Sequence, residues 1–239
     1  MNGTVDSGAS LPSTTSQTTQ VFASLLSGDF GRLADQVDEL EASGAIAGLH
    51  IDVMDGRFVP NYALGPQSVE ALRRRTRLPI EVHLMVERPL YALPIFADAG
   101  AHRLIVHAEA TAHLHRDLAT IAKLGPELGV ALNPGTSLDA VGHVIEELDE
   151  LLLMGVDPGF GGQAFIEAVA PKIGAARRLI DACGGRAKIN IDGGVKPDNA
   201  RRLADAGADY LVVGSALFGS AGIAACAGRL RSALLGDRS

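Results

Sequence analysis

His50, Asp52 and Met54 stand two residues apart in the run Leu49-His50-Ile51-Asp52-Val53-Met54-Asp55-Gly56. Side chains two apart on a β-strand share a face. An imidazole, a carboxylate and a soft thioether would therefore line one side of this segment. Leu49, Ile51 and Val53 would pack the other, and Asp55-Gly56 signals a turn. Two more strand-like runs bring His83 with Met85 and, at its end, Asp192. His50, Asp52, His83 and Asp192 make a set of two imidazoles and two carboxylates. Such a set suits one divalent ion, Zn²⁺ first and then Fe²⁺, Mn²⁺ or Co²⁺, and suits Ca²⁺ poorly, because imidazole prefers the transition series. Singly, each histidine reads as well as a hydrogen-bonded core residue; the joint pattern points to a cation.

The two carboxylates have a second use. Epimerising a carbon beside a ketone needs a proton to leave one face and another to arrive on the opposite face. One fixed base serves both faces poorly, whereas two acids serve them well if one is ionised and the other protonated. A cation between them would polarise the carbonyl and tie the two carboxyl pKa values together. Asp52 and Asp192 are the candidate pair. Met54, Met85 and Met154, the methionines other than Met1, all fall at expected strand ends. Core gap-filling accounts for such residues in general; here they would form an apolar lid over the reacting carbon that excludes water.

Three glycine clusters follow late strands: Gly159-Phe160-Gly161-Gly162, Gly193-Gly194 and Gly214-Ser215. Glycine lets backbone N–H groups approach an anion closely, so these clusters could hold a phosphate without a basic patch. Alone, each is as good a tight turn. Gly159-x-Gly161-x-x-Ala164 also fits a loose dinucleotide fingerprint, but Pro158 and a long stretch separate it from the strand before, where a true fingerprint turns tightly from strand to helix. Arg73, Arg74, Arg75 and Arg77 read as a solvated helix face.

The elements that must position these groups alternate along the chain. Expected strands are Val21–Ser24, Gly48–Asp52, Ile80–Met85, Arg103–His107, Gly129–Leu132, Glu150–Met154, Lys188–Asp192 and Tyr210–Val213. Helical periodicity covers Phe30–Ser43, Ala168–Cys183 and Pro197–Ala206. About eight strand–helix units in a chain of 239 residues imply an α/β fold, a single-domain (βα)8 TIM barrel over residues 21–235; an open doubly wound sheet is the competitor. In such a barrel the site lies at the C-terminal strand ends. His50, Asp52, His83, His107 and Asp192 all fall at or near those ends. The formal net charge of −7 argues against nucleic-acid and anionic-membrane partners. Cys183 and Cys226 fit neither a zinc spacing nor a disulfide framework, which favours a reducing compartment, the cytoplasm. Residues 1–20, rich in Ser, Thr and Gly, read as a disordered extension.

Taken together, these segments resemble the ribulose-phosphate 3-epimerase family. The resemblance rests on Ser24-Leu25-Leu26, Asp29-Phe30, His50 to Asn61, Glu81 to Met85, Val106 to Glu109, Asn133 to Thr136, Asp157 to Phe165, Asp192 to Pro197 and Gly214 to Ala216. It runs in order from Val21 to about Leu230. It implies a barrel that interconverts D-ribulose 5-phosphate and D-xylulose 5-phosphate, with one metal on His50, Asp52, His83 and Asp192 and with Asp52 and Asp192 as acid and base. By the same likeness Ser24 and His83 touch the substrate, the glycine clusters hold its phosphate, the methionines surround the reacting centre, and the protein is a homo-oligomer. Ala23 stands where the family usually has proline, and Gly155 and Asp157 depart before the glycine loop. Asp157 also occurs in relatives acting on allulose 6-phosphate. These departures bear on the sugar, which could be another ketose phosphate such as a tetrulose phosphate, and leave the chemistry in place; a silent phosphosugar-binding barrel is a separate alternative, against which Asp52 and Asp192 argue.

Overall fold

The computed structural model describes residues 19–236. Eight parallel strands form a closed barrel: β1 (Gln20–Ser24), β2 (Gly48–Met54), β3 (Ile80–Met85), β4 (Arg103–His107), β5 (Glu127–Leu132), β6 (Glu150–Met154), β7 (Lys188–Asp192) and β8 (Tyr210–Val213). Each pairs with the next, and β8 returns to β1 through Gln20↔Tyr210 to Ala23↔Val213. The seven α-helices among the described residues are α1 (Leu33–Ala42), α2 (Pro66–Arg75), α3 (Pro89–Asp98), α4 (Leu114–Leu124), α5 (Ala170–Ala182), α6 (Pro197–Asp205) and α7 (Ile223–Leu235).

The period-two pattern sorts each strand into two surfaces. Outward-facing Leu49, Ile51, Val53, Val82, Leu84, Leu104 and Val106 pack against Val37, Leu40, Val69, Leu72, Leu93 and Phe96 of the helices. Burying each such side chain contributes about 1.5–3 kcal/mol. Phe22, Ile105, Ala131, Leu152, Met154 and Val212 fill a separate cluster inside the barrel. The closed ring settles the choice against an open sheet.

Three expectations need correction. The barrel starts at Gln20, and Thr19 Oγ1 already donates to Ala208 O at 3.0 Å; the rest of the expected extension lies outside the described residues. β2 continues to Met54, so His50 sits in mid-strand rather than at its end. Between β5 and β6 no α-helix forms. Two 3-10 turns, Leu138–Val141 and Ile145–Glu147, flank Gly142 instead, and Asn133-Pro134-Gly135 precedes them. Proline and glycine along this connection disfavour a helix interior. Arg74 and Arg75 do lie on an exposed face and pair with Glu70 and Asp38. No helix among the described residues is long and apolar enough to cross a membrane.

Candidate active site

Strand register brings the polar residues into one ring. Asp52 on β2 lies beside His83 on β3, Met54 beside Met85, and Ser24 on β1 beside His50. Asp192 ends β7 beside Met154 of β6. As a result one ligand atom from each of His50, Asp52, His83 and Asp192 lies within 4.8 Å of every other. His50 Nε2 and His83 Nδ1 stand 3.3 and 3.2 Å from Asp52 Oδ1, and 3.7 and 3.6 Å from Asp192 Oδ2. The two ring nitrogens are themselves 3.3 Å apart. Nitrogen and carboxylate donors converging this way, without a cation of the protein between them, fit a transition-series ion.

The surroundings drive the two acids apart. Burial works against the ionised form of Asp52, but the His50 and His83 imidazoles overcome it and hold this carboxyl well below the usual range. Ser24 Oγ donates to its Oδ2 at 2.9 Å. Burial raises Asp192 to about 7, and the neighbouring Asp52 and Glu81 charges add to the effect. Burial also resists a charged His50, yet Asp52 and Asp192 raise it well above its ordinary value. His83 moves the other way: burial, with His107 and His50 nearby, lowers it to about 3. Asp52 is thus ionised near neutral pH, while Asp192 is poised there between its two states.

A charged layer lies beneath. Glu81 Oε1 is 2.6 Å from His50 Nδ1, so this nitrogen donates, and loss of the ring's second proton would leave Nε2 bare toward the cluster. Arg103 Nη1 donates to Glu81 Oε2 at 2.9 Å and to Glu150 Oε2 at 2.6 Å, and Nη2 bonds Glu127. Asn190 Nδ2 reaches Glu81 and Glu150 at 3.1 Å each. Burial pushes Glu150 up to about 8, helped by the Glu81 charge.

A cleft opens above. Ser24, Asp52, Met54, Met85, Met154 and Asp192 line its floor, and Gly159, Phe160, Gly161, Gly162, Gly193, Gly194, Gly214 and Ser215 line its walls. His50 and His83, fully buried, lie below it. All three glycine clusters therefore face one cavity. Met54 and Met85 pack with Val59, and Met154 packs inside the barrel. Asn61 Nδ2 donates to Gly159 O at 2.8 Å, which ties the glycine loop to the segment after β2. Asp55 organises that segment by accepting from the Arg57, Phe58 and Glu87 amides.

The cleft also takes Ser27, Gln163 and Lys196, which sequence reasoning did not single out. Ser27 ends a 3-10 turn, Leu25–Ser27, and has no periodic signal. Glu81 was legible, being two before His83 on the same face. The departures find physical settings. A Cβ at Gly155 would stand 2.4 Å from Gly193 O and 2.7 Å from the Phe165 ring, so the backbone here occupies the space of a side chain. Asp157 is exposed, between Val156 and Pro158, which line the cleft.

A family model described as the ribulose-phosphate 3 epimerase family matches residues 20–218. A ribulose-phosphate 3-epimerase of Bacillus subtilis is 49% identical over 201 residues, covering 84% of this chain and 92% of its own. A chloroplastic ribulose-5-phosphate-3-epimerase of Arabidopsis thaliana is 48% identical over 202 residues, covering 84% and 72%. Among solved structures, a mutant tryptophan synthase alpha-subunit from Pyrococcus furiosus superposes with a TM-score of 0.68 at 15% identity, over 92% of this chain and 98% of that one. That likeness speaks for the barrel alone.

Proposed function

The chain belongs to the ribulose-phosphate 3-epimerase family, and from that premise we propose that it interconverts D-ribulose 5-phosphate and D-xylulose 5-phosphate by proton transfer at C3. The observation that carries the reading is the convergence of Asp52 and Asp192, with pKa values driven apart, under a cleft walled by the glycine clusters. Asp52 takes the C3 proton from one face of the ketose. Asp192 gives a proton to the other face, and the reverse reaction exchanges the roles. Ser24 holds Asp52 in place and faces the sugar. Met54, Met85 and Met154 keep water from the planar intermediate. Backbone N–H groups of the glycine turns receive the phosphate, with Lys196 the one cationic side chain among the described residues that lines the cleft. A divalent ion on His50, Asp52, His83 and Asp192, zinc foremost, would supply Lewis-acid stabilisation of negative charge on the substrate oxygen.

Asp157 is not among the residues that line the cleft and so lends no support to allulose 6-phosphate as the substrate. The test is an epimerase assay on chelated and then metal-reloaded protein, across ribulose, allulose and tetrulose phosphates in deuterated water. The expected result is activity lost on chelation and regained with zinc, ribulose 5-phosphate turned over fastest, and deuterium entering at C3. Retention of the original hydrogen at C3 would exclude the two-acid route, and faster turnover of another sugar would change the substrate.

A further inference from the structure

His107 ends β4 and is fully buried, yet neither proton transfer nor cation binding uses it directly. Its two ring nitrogens face different partners. Nδ1 stands 3.1 Å from Glu109 Oε2, and Nε2 stands 2.8 Å from His83 Nε2. The far side of His83, Nδ1, is the atom that faces Asp52, His50 and Asp192.

Hydrogen-bond polarity fixes the direction of this chain. A carboxylate has no proton to give, so the Glu109 contact places a hydrogen on His107 Nδ1. With a single N–H on the ring, His107 Nε2 is bare and can only accept. His83 Nε2 must then donate, and His83 Nδ1 is left bare toward the cluster. Glu109 is itself held firmly. Its Oε1 accepts from the Asn133 amide at 2.8 Å and from the Thr136 hydroxyl. Lys172 Nζ fastens that loop through the carbonyls of Asn133, Pro134 and Thr136, at 3.2, 2.8 and 2.8 Å.

We infer that Glu109 and His107 are positioning residues whose hydrogen-bond relay holds His83 in the tautomer that offers Nδ1 to a cation. The inference rests on the metal reading above and adds a determinant of affinity outside the ligand set. It parallels the Glu81–His50 contact but reaches His83 from the opposite side, through a second imidazole. Outer partners that orient ligand histidines commonly shift metal affinity by roughly 10- to 100-fold.

Glu109→Gln is the sharp variant. Its oxygen stays with the Asn133 and Thr136 donors, so its amide N–H points at His107 Nδ1. The relay is then reversed: His107 carries its hydrogen on Nε2 and donates to His83 Nε2, which sends the His83 hydrogen to Nδ1, the atom that faces the cluster. Zinc dissociation constants are measured by chelator competition on the full chain, and ¹⁵N histidine spectra of the zinc-loaded wild type report tautomers. The expected result is His107 neutral with its hydrogen on Nδ1, and zinc weakened roughly 10- to 100-fold by Glu109→Gln and by His107→Leu. His107→Gln can accept from His83 and donate to Glu109, so it should stay within about threefold of wild type. A wild-type His107 with its hydrogen on Nε2, or a Glu109→Gln protein that binds zinc as tightly as wild type, would overturn the relay while leaving the epimerase reading intact. A wild type that binds no zinc would instead remove the metal reading, and the relay's role with it.

Discussion

At the scale of single residues, the proposed proton transfer depends on keeping two like groups in unlike states. Asp52 and Asp192 share one buried space, and the cost of a second negative charge there falls on Asp192 because His50 and His83 crowd Asp52. Asp192→Asn keeps the size and the hydrogen-bonding outline but cannot exchange a proton. With zinc in excess, kcat should fall by about 10³-fold or more, the upper range for loss of a positioned acid or base. Affinity for the substrate phosphate should change little, because the glycine walls are untouched. Steady-state kinetics and equilibrium binding measured on the same preparation separate the two effects. Normal turnover by Asp192→Asn would sink the two-acid scheme.

At the scale of elements, much of the site was legible because strand faces are read two by two. β3, β4, β6, β7 and β8 begin and end where the alternating and apolar runs place them, and His83 and Asp192 needed no more than that. β2 was less legible at its end. Val53 and Met54 stay in the strand because they pair with Leu84 and Met85 of the neighbour, a tertiary reason that a local pattern does not carry. Ser27 and Lys196 were hidden for a related cause: they reach the cleft from turns, where no period marks direction. Glycines at such turns carry the geometry. Gly194 has φ +70°, and a Cβ on it would lie 2.4 Å from the Phe165 backbone nitrogen. Gly194→Ala therefore meets both a strained conformation and a backbone clash. It should cost at least ~2 kcal/mol in chemical denaturation and raise KM more than it lowers kcat, since in the proposed reading the turn receives the phosphate and does not carry the acids. Unchanged stability would mean that the turn between β7 and α6 relaxes freely.

At the scale of the whole molecule, the barrel interior is a charge problem as well as a packing one. Arg103 is the cation placed among Glu81, Glu127 and Glu150, with Glu81 and Glu150 fully inside. One guanidinium cannot balance them all, and a buried unpaired charge is costly. The protein resolves this by keeping a proton on Glu150, whose pKa is pushed up to about 8 by burial and by the Glu81 charge. The sign of the linkage follows. The folded state binds this proton more tightly than the unfolded chain, so the stability it confers is complete below the ordinary glutamate pKa and drains away as the pH rises through about 8. Between those limits the group contributes a slope of at most about 1.4 kcal/mol per pH unit, with stability falling as pH rises. Glu150→Gln is permanently neutral, and its amide oxygen can still accept from Arg103 although its NH2 then faces the Asn190 amide, so it removes the slope without emptying the site. Urea unfolding of wild type and variant at several pH values between 5 and 8.5, with and without chelator, reads the difference directly. The wild type should lose stability relative to Glu150→Gln steadily across that window, and the two curves should run parallel above it. If they run parallel throughout, Glu150 is ionised in the folded barrel, and the interior must balance its charge at another group.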